Sequence, residues 1–95
     1  SRNTISAAED FTAMFRSSGR ALLLGTPTHG STGTPFLCRL RCGGHARICS
    51  VGYRLLDGTE FIGRGIQPDI LLEMTGTEYF QGRDTVLEEA VRRLK

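Results

Sequence analysis

The segment Ala21-Leu22-Leu23-Leu24-Gly25 constrains this chain more than any other. It is apolar without alternation, so a strand made from it has no face for water and is predicted to be buried on both sides. The residues before it predict a helix over Ser6 to Arg16. Ala7, Ala8, Phe11, Met14 and Phe15 recur at the i, i+3, i+4, i+7 spacing of one apolar face. Gly19, after Ser17-Ser18, suits a left-handed helix end. Helix, tight loop and apolar strand read as α/β, with Phe11, Phe15 and Leu22 to Leu24 expected in the core.

Downstream, Thr26 to Thr34 is a loop dense in Gly, Thr and Ser. Phe36 to Arg41 alternates, with Phe36, Cys38 and Leu40 on one face and Leu37, Arg39 and Arg41 on the other. Arg47 to Leu55 reads as its partner strand. Gly43-Gly44 between them fits a two-residue type I′ turn. That turn would set Cys38 opposite Cys49, about 5.5 Å apart at Cα, a separation that allows a disulfide. Free, half-buried thiols are the simpler reading. Asp57-Gly58 signals a second hairpin into Thr59 to Ile62. Gly63 to Gln67 is a loop, and Pro68 bends the chain before Asp69 to Glu73. Asp84 caps a last helix with Leu87, Ala90, Val91 and Leu94 on one stripe. Glu88 with Arg92 and Glu89 with Arg93 are i, i+4 pairs in the favourable order. The only lysine, Lys95, ends that helix.

Ninety-five residues allow one domain with one core. Twelve Lys and Arg against ten Asp and Glu leave +2, too little for a strong field toward nucleic acid or membrane. No apolar run nears the ~18 residues of a membrane span. The polar start, Ser1-Arg2-Asn3-Thr4, is no secretory leader, and without an initial Met the chain reads as part of something longer. Three cysteines without C-x-x-C spacing, and only His29 and His45 as imidazoles, predict no metal site and no cofactor. Gly63-x-Gly65 lacks the following helix of a phosphate loop. The arginines Arg39, Arg41, Arg47 and Arg54 fit the solvent faces of paired strands, with substrate binding as a second reading. The compartment stays open.

Chemistry concentrates in Ser6-Ala7-Ala8-Glu9 and in the loop Gly25-Thr26-Pro27-Thr28-His29-Gly30-Ser31-Thr32-Gly33. Ser-x-x-Glu before an apolar run is a capping box. The same place could do more. A serine at a helix N-terminus has unpaired N–H groups beside it, which can stabilise an oxyanion.

With these residues in view, the sequence resembles the C-terminal processing, or tail-specific, serine peptidases, including their tricorn-like branch. The resemblance covers nearly the whole chain. It runs through Thr4-x-Ser6-Ala7-Ala8-Glu9, Gly19-Arg20-Ala21, the Gly25 to Gly33 loop, Asp57-Gly58, Gly65-Ile66-Gln67-Pro68-Asp69-Ile70 and Gly82-Arg83-Asp84. It implies a crotonase-like α/β half-domain, with a mixed sheet, hairpins and two main helices, spanning 1–95 as the C-terminal part of a catalytic domain. It implies Ser6 as nucleophile and the backbone N–H of Ala7 as an oxyanion donor. Glu9 becomes either the capping-box partner or a residue shaping the nucleophile's surroundings.

Two departures stand out. Ser31 occupies the place of the tail-specific branch's lysine base, and a hydroxyl cannot replace an amine near neutral pH. The tricorn-like branch has a glutamate where Ile62 stands, with Glu60 a same-face substitute. The resemblance then implies a histidine base from an earlier segment. His29, two positions from Ser31, is a second candidate, and His45, beside a tight turn, a remote one. The implied function is peptide hydrolysis through an acyl-enzyme on Ser6, acting on peptides or unfolded protein. The residues alone are expected to be inactive and to expose apolar surface or self-associate. The alternative is a non-catalytic relative that binds ligand or peptide, as the retinoid-binding repeats similar to this family do. The Ser6 motif argues against a third reading, an acyl-CoA enzyme.

Overall fold

The computed structural model describes residues 1–94; Lys95 lies outside the described residues. Seven elements follow one another: α1 (Ala7–Ser18), β1 (Leu24–Gly25), β2 (Pro35–Arg39), β3 (His45–Cys49), β4 (Ile70–Leu71), α2 (Gly76–Phe80) and α3 (Thr85–Leu94). The class is mixed α/β, but the strands form two separate pairs rather than one mixed sheet. β1 and β4 run parallel, with Leu24 beside Ile70, and β2 and β3 form an antiparallel ribbon.

α1 begins one residue after Ser6 and ends at Gly19, whose left-handed φ of 64° stops it as expected. α3 starts behind Asp84, whose carboxylate accepts from the Leu87 N–H at 2.9 Å. Glu89 bridges Arg93 as the sequence suggests, but it also takes Arg92. Glu88 turns back to Arg83 instead, so the Glu88–Arg92 pair does not form. The sequence pattern does not predict α2. Its five residues hold no apolar period, and only the Thr75–Glu78 capping box marks it.

The ribbon's register differs from the expectation. Arg39 opposes His45 and Cys38 opposes Ala46, while Cys49 faces Pro35. Gly43, at φ 85°, donates to the Leu40 carbonyl at 3.0 Å, and Leu40 donates to Gly44 at 2.9 Å. This is a three-residue loop closed by a glycine bulge, not a two-residue turn. Cys38 and Cys49 therefore lie on opposite faces, and all three cysteines are free. β3 stops at Cys49, not Leu55. Beyond it, the second hairpin is reduced to one bridge between Arg54 and Glu60. Its turn repeats the first: Gly58, also at φ 85°, donates to Leu55, and Leu55 donates to Thr59.

The expected core is the largest correction. Leu55, Phe61 and Ile66 are the buried hydrophobics among the described residues, with Ala13, Leu23 and Tyr53 packed on them. Phe11 and Met14 are 58% and 63% exposed, and Leu22 is 51% exposed. Leu23 and Leu24 are half-buried and Leu22 is exposed, because among the described residues β1 pairs with β4 alone. Their apolar sequence asks for neighbours that these residues do not supply.

Candidate active site

The chain crosses from an extended segment into α1 at Ser6, and the crossing is sharp. Ser6 has φ 58° and ψ −128°, and among the described residues no other non-glycine has a positive φ. A side chain at such a φ is strained and persists only where its surroundings hold it. Here they do so through the loop. The Ser6 N–H donates to the Ser31 carbonyl at 2.9 Å, and the His29 N–H donates to the Thr4 carbonyl at 3.0 Å. Residues 4–6 and 29–31 are thus stitched backbone to backbone.

Glu9 lies under this junction and is fully buried. One carboxylate oxygen accepts from the Thr28 hydroxyl and the Gly30 N–H, both at 2.6 Å. The other accepts from Ser31 N–H at 2.8 Å and from Ser6 N–H at 3.3 Å. Burial pushes the Glu9 carboxyl up. The donors, led by the Thr28 hydroxyl and the Gly30 and Ser31 N–H groups, outweigh it and hold the group below the ordinary carboxylate value. Glu9 is a buried anion neutralised by hydrogen bonds rather than by a cation.

Ser6 faces Glu9 in the capping-box arrangement, yet its hydroxyl closes no cap hydrogen bond, and the residue is exposed. No backbone carbonyl among the described residues takes the Ala7 N–H. An accessible hydroxyl therefore stands beside an unpaired donor at the positive end of a 12-residue helix.

A second layer supports the loop. The Thr28 hydroxyl accepts from the Ile66 N–H at 2.7 Å while donating to Glu9, and the Thr28 N–H donates to the Ile66 carbonyl at 3.2 Å. Gly63 donates to the Gly30 carbonyl at 2.7 Å. A Cβ on Gly30 would stand 2.6 Å from the Gly65 nitrogen. The Thr32 hydroxyl donates to Asp10 at 2.7 Å. Thr28 and Gly30 belong to the loop that the sequence marks and Gly65 to a motif of the resemblance, but no spacing rule predicts their contacts with Glu9 and with each other. The signal was present: a glutamate at the third helical position followed by a Gly- and Thr-rich loop supplies donors for a buried carboxylate.

Of the residues expected at the site, Ser6, Ala7, Glu9 and Ser31 come together. His29 sits on the same loop, exposed, and its imidazole makes no hydrogen bond among the described residues. His45 is on the ribbon at the start of β3, and Ile62 is 42% exposed. Glu60 is drawn away to Arg54.

The model of Peptidase family S41 matches residues 1–72. The chain belongs to this family. In three dimensions, the S41 chain superposes on a Parabacteroides merdae protein assigned as a peptidase, at 30% identity and a TM-score of 0.84. That match covers 98% of this chain and 29% of the other. It is also similar to the photosystem II D1 C-terminal processing protease, at 26% identity and a TM-score of 0.64, covering 76% of this chain and 19% of that one. The tricorn protease shares the fold, with 23% identity and a TM-score of 0.78, over 98% of this chain and 9% of that one. Among the curated proteins, no relative matches. The S41 chain spans less than a third of the length of each of these structures.

Proposed function

We propose that residues 1–95 are the C-terminal part of the catalytic domain of a serine peptidase with a crotonase-like fold, and that Ser6 is its nucleophile. The observation that carries this is the Ser6 backbone: a non-glycine at φ 58°, exposed, at a helix N-terminus, braced by Ser31 and Glu9. Serine nucleophiles on sharp, strained turns into helices present the hydroxyl in this way.

In the proposed reaction, a base removes the proton from Ser6 Oγ as it attacks the peptide carbonyl carbon. The oxyanion that forms accepts from the Ala7 N–H. The amine then leaves with the proton, and water releases the acyl group by the same steps in reverse. Glu9 does not touch the substrate. It fixes Ser6 and the 28–31 loop relative to one another. Ser31 brings no amine, so the base comes from the larger part of the protein beyond these residues, as in the tricorn-like branch, or from His29.

A fluorophosphonate probe on the full-length protein tests this. An adduct on Ser6, mapped by mass spectrometry and absent in Ser6→Ala, is the expected result. No adduct on Ser6 would overturn the reading and favour a non-catalytic, peptide-binding relative, which Ser31 in the lysine's place would then explain.

A further inference from the structure

The charges of this chain are unevenly placed. Between Asp10 and Asp57 the sequence has no acidic residue and six arginines. Arg16 is paired with Asp69, and Arg54 with Glu60. Arg39, Arg41 and Arg47 have no carboxylate partner among the described residues, and all three belong to the β2–β3 ribbon or its turn.

Register puts two of them on one face. Leu37 opposes Arg47 and Arg39 opposes His45, and residues directly opposite share a side. Arg39 and Arg47 are therefore diagonal neighbours, about 7–8 Å apart. Leu37 beside them is 65% exposed. Two exposed guanidinium groups at this spacing, with no carboxylate beside them, make a local positive patch that favours a ligand of opposite sign. The other face, with Phe36 and Ile48 opposed, carries no charge at these positions.

We infer that this face of the ribbon binds an acidic stretch of the peptide substrate, giving the proposed peptidase a preference for Asp and Glu at a distance from the cut bond. The inference rests on the reading of Ser6 as nucleophile, because the ribbon grows out of the nucleophile's own loop. Only Thr32 to Thr34 separate Ser31 from β2. Each ribbon strand has one edge that pairs with nothing among the described residues. An extended peptide can add along such an edge through its backbone. Its alternate side chains then face Arg39 and Arg47, where a guanidinium fork suits a carboxylate. The open backbone edge favours a peptide over a nucleic acid, which would offer phosphates but no strand to add.

The test uses full-length protein carrying Ser6→Ala, so that binding is read without turnover. The probe is a fluorescein-labelled dodecapeptide with Glu at alternate positions; the controls carry Gln or Lys there. Fluorescence anisotropy should show the Glu peptide bound more tightly than the Gln peptide, with the Lys peptide weakest, and the preference should fade as salt rises. Arg39→Gln with Arg47→Gln should weaken the Glu peptide by about three- to tenfold, as for two exposed ion pairs, and leave the Gln peptide unchanged. Arg39→Glu with Arg47→Glu should reverse the order of the Glu and Lys peptides. The same arginine variants with Ser6 restored should keep their fluorophosphonate labelling rate, which reports the site separately. Equal binding of the three peptides, no binding at all, or equal losses for the Glu and Gln peptides would overturn the inference. So would an oligonucleotide that displaces the Glu peptide and binds more tightly. A failure to label Ser6 with the peptide preference intact would overturn the peptidase reading instead.

Discussion

The backbone of Gly65 lies directly on that of Thr28, with no room for a side chain between them. A Cβ on Gly65 would overlap the Thr28 carbonyl, and Gly65 itself has φ 79°. Thr28 is also the residue whose hydroxyl links Glu9 to the Ile66 N–H. The Gly65-Ile66 segment thus sets the height of the loop that braces Ser6, although it lies far along the chain from it.

Gly65→Ala should therefore strain the site from below. The new methyl group meets backbone, which cannot swing aside, and the positive φ adds its own cost. A loss of about 1–3 kcal/mol or more is expected. Thermal melts of the full-length protein should show it, together with slower fluorophosphonate labelling of Ser6. Unchanged melting and labelling would mean that the close approach is not maintained.

The stability that Glu9 contributes depends on pH. The Glu9 carboxyl is held below the ordinary carboxylate value in the folded chain by the donors around it. Stability from the charged form is then fully present above the unfolded value and is lost as pH falls through the folded one. Glu9→Gln replaces an acceptor with an amide that must turn donors toward donors. It should cost about 1–3 kcal/mol at neutral pH. Asp57, Glu78, Glu88 and Glu89 are also held low, so wild type alone does not isolate Glu9. The difference between the melts of wild type and Glu9→Gln does. It should be constant at neutral pH and shrink below about 4.5. A difference that does not vary with pH would assign the loss to shape rather than charge.

The sequence made local elements legible wherever the cause was local. The apolar period of α1, the Gly19 stop and the Asp84 cap each act within a few residues, and each is where the sequence puts it. Ser6 beside Ser31 was reachable only through the resemblance, because no spacing rule joins residues so far apart. The ribbon register failed for a definable reason. Gly43 and Gly44 allow a two-residue turn, but only Gly43 takes a positive φ, and the resulting bulge moved Cys38 away from Cys49. The core failed for another. Apolar residues report a demand for burial, not who meets it, and Leu22 and Phe11 stay more than half exposed.

That unmet demand is itself testable. Phe11, Met14, Leu71 and Leu94 are all more than half exposed. Expressed alone, residues 1–95 should bind an apolar dye and associate as concentration rises. β1 and β4, which among the described residues pair only with each other, offer open edges for the same outcome. Light scattering that reports a compact monomer, with no dye binding, would count against it.

Residues 1–95 alone should not hydrolyse peptides, whereas Ser6→Ala in the full-length protein should abolish whatever activity it has. A serine hydroxyl is a weak nucleophile and needs a base within about 2.6–3.2 Å. Ser31 offers a hydroxyl, and Lys95 lies outside the described residues. His29 is on the right loop, but no group among the described residues hydrogen-bonds its ring to orient it. In a comparable serine hydrolase, losing the nucleophile or the base costs about 10⁶ in turnover. The family resemblance also implies a second oxyanion donor outside these residues, and its loss should cost roughly 10²–10³ more. Casein is a suitable unstructured substrate, with Ser6→Ala as the control in both lengths of chain. If residues 1–95 turned over casein in a Ser6-dependent way, the base would lie within them. His29→Ala would then be the next variant to assay, with loss of that turnover as its expected result.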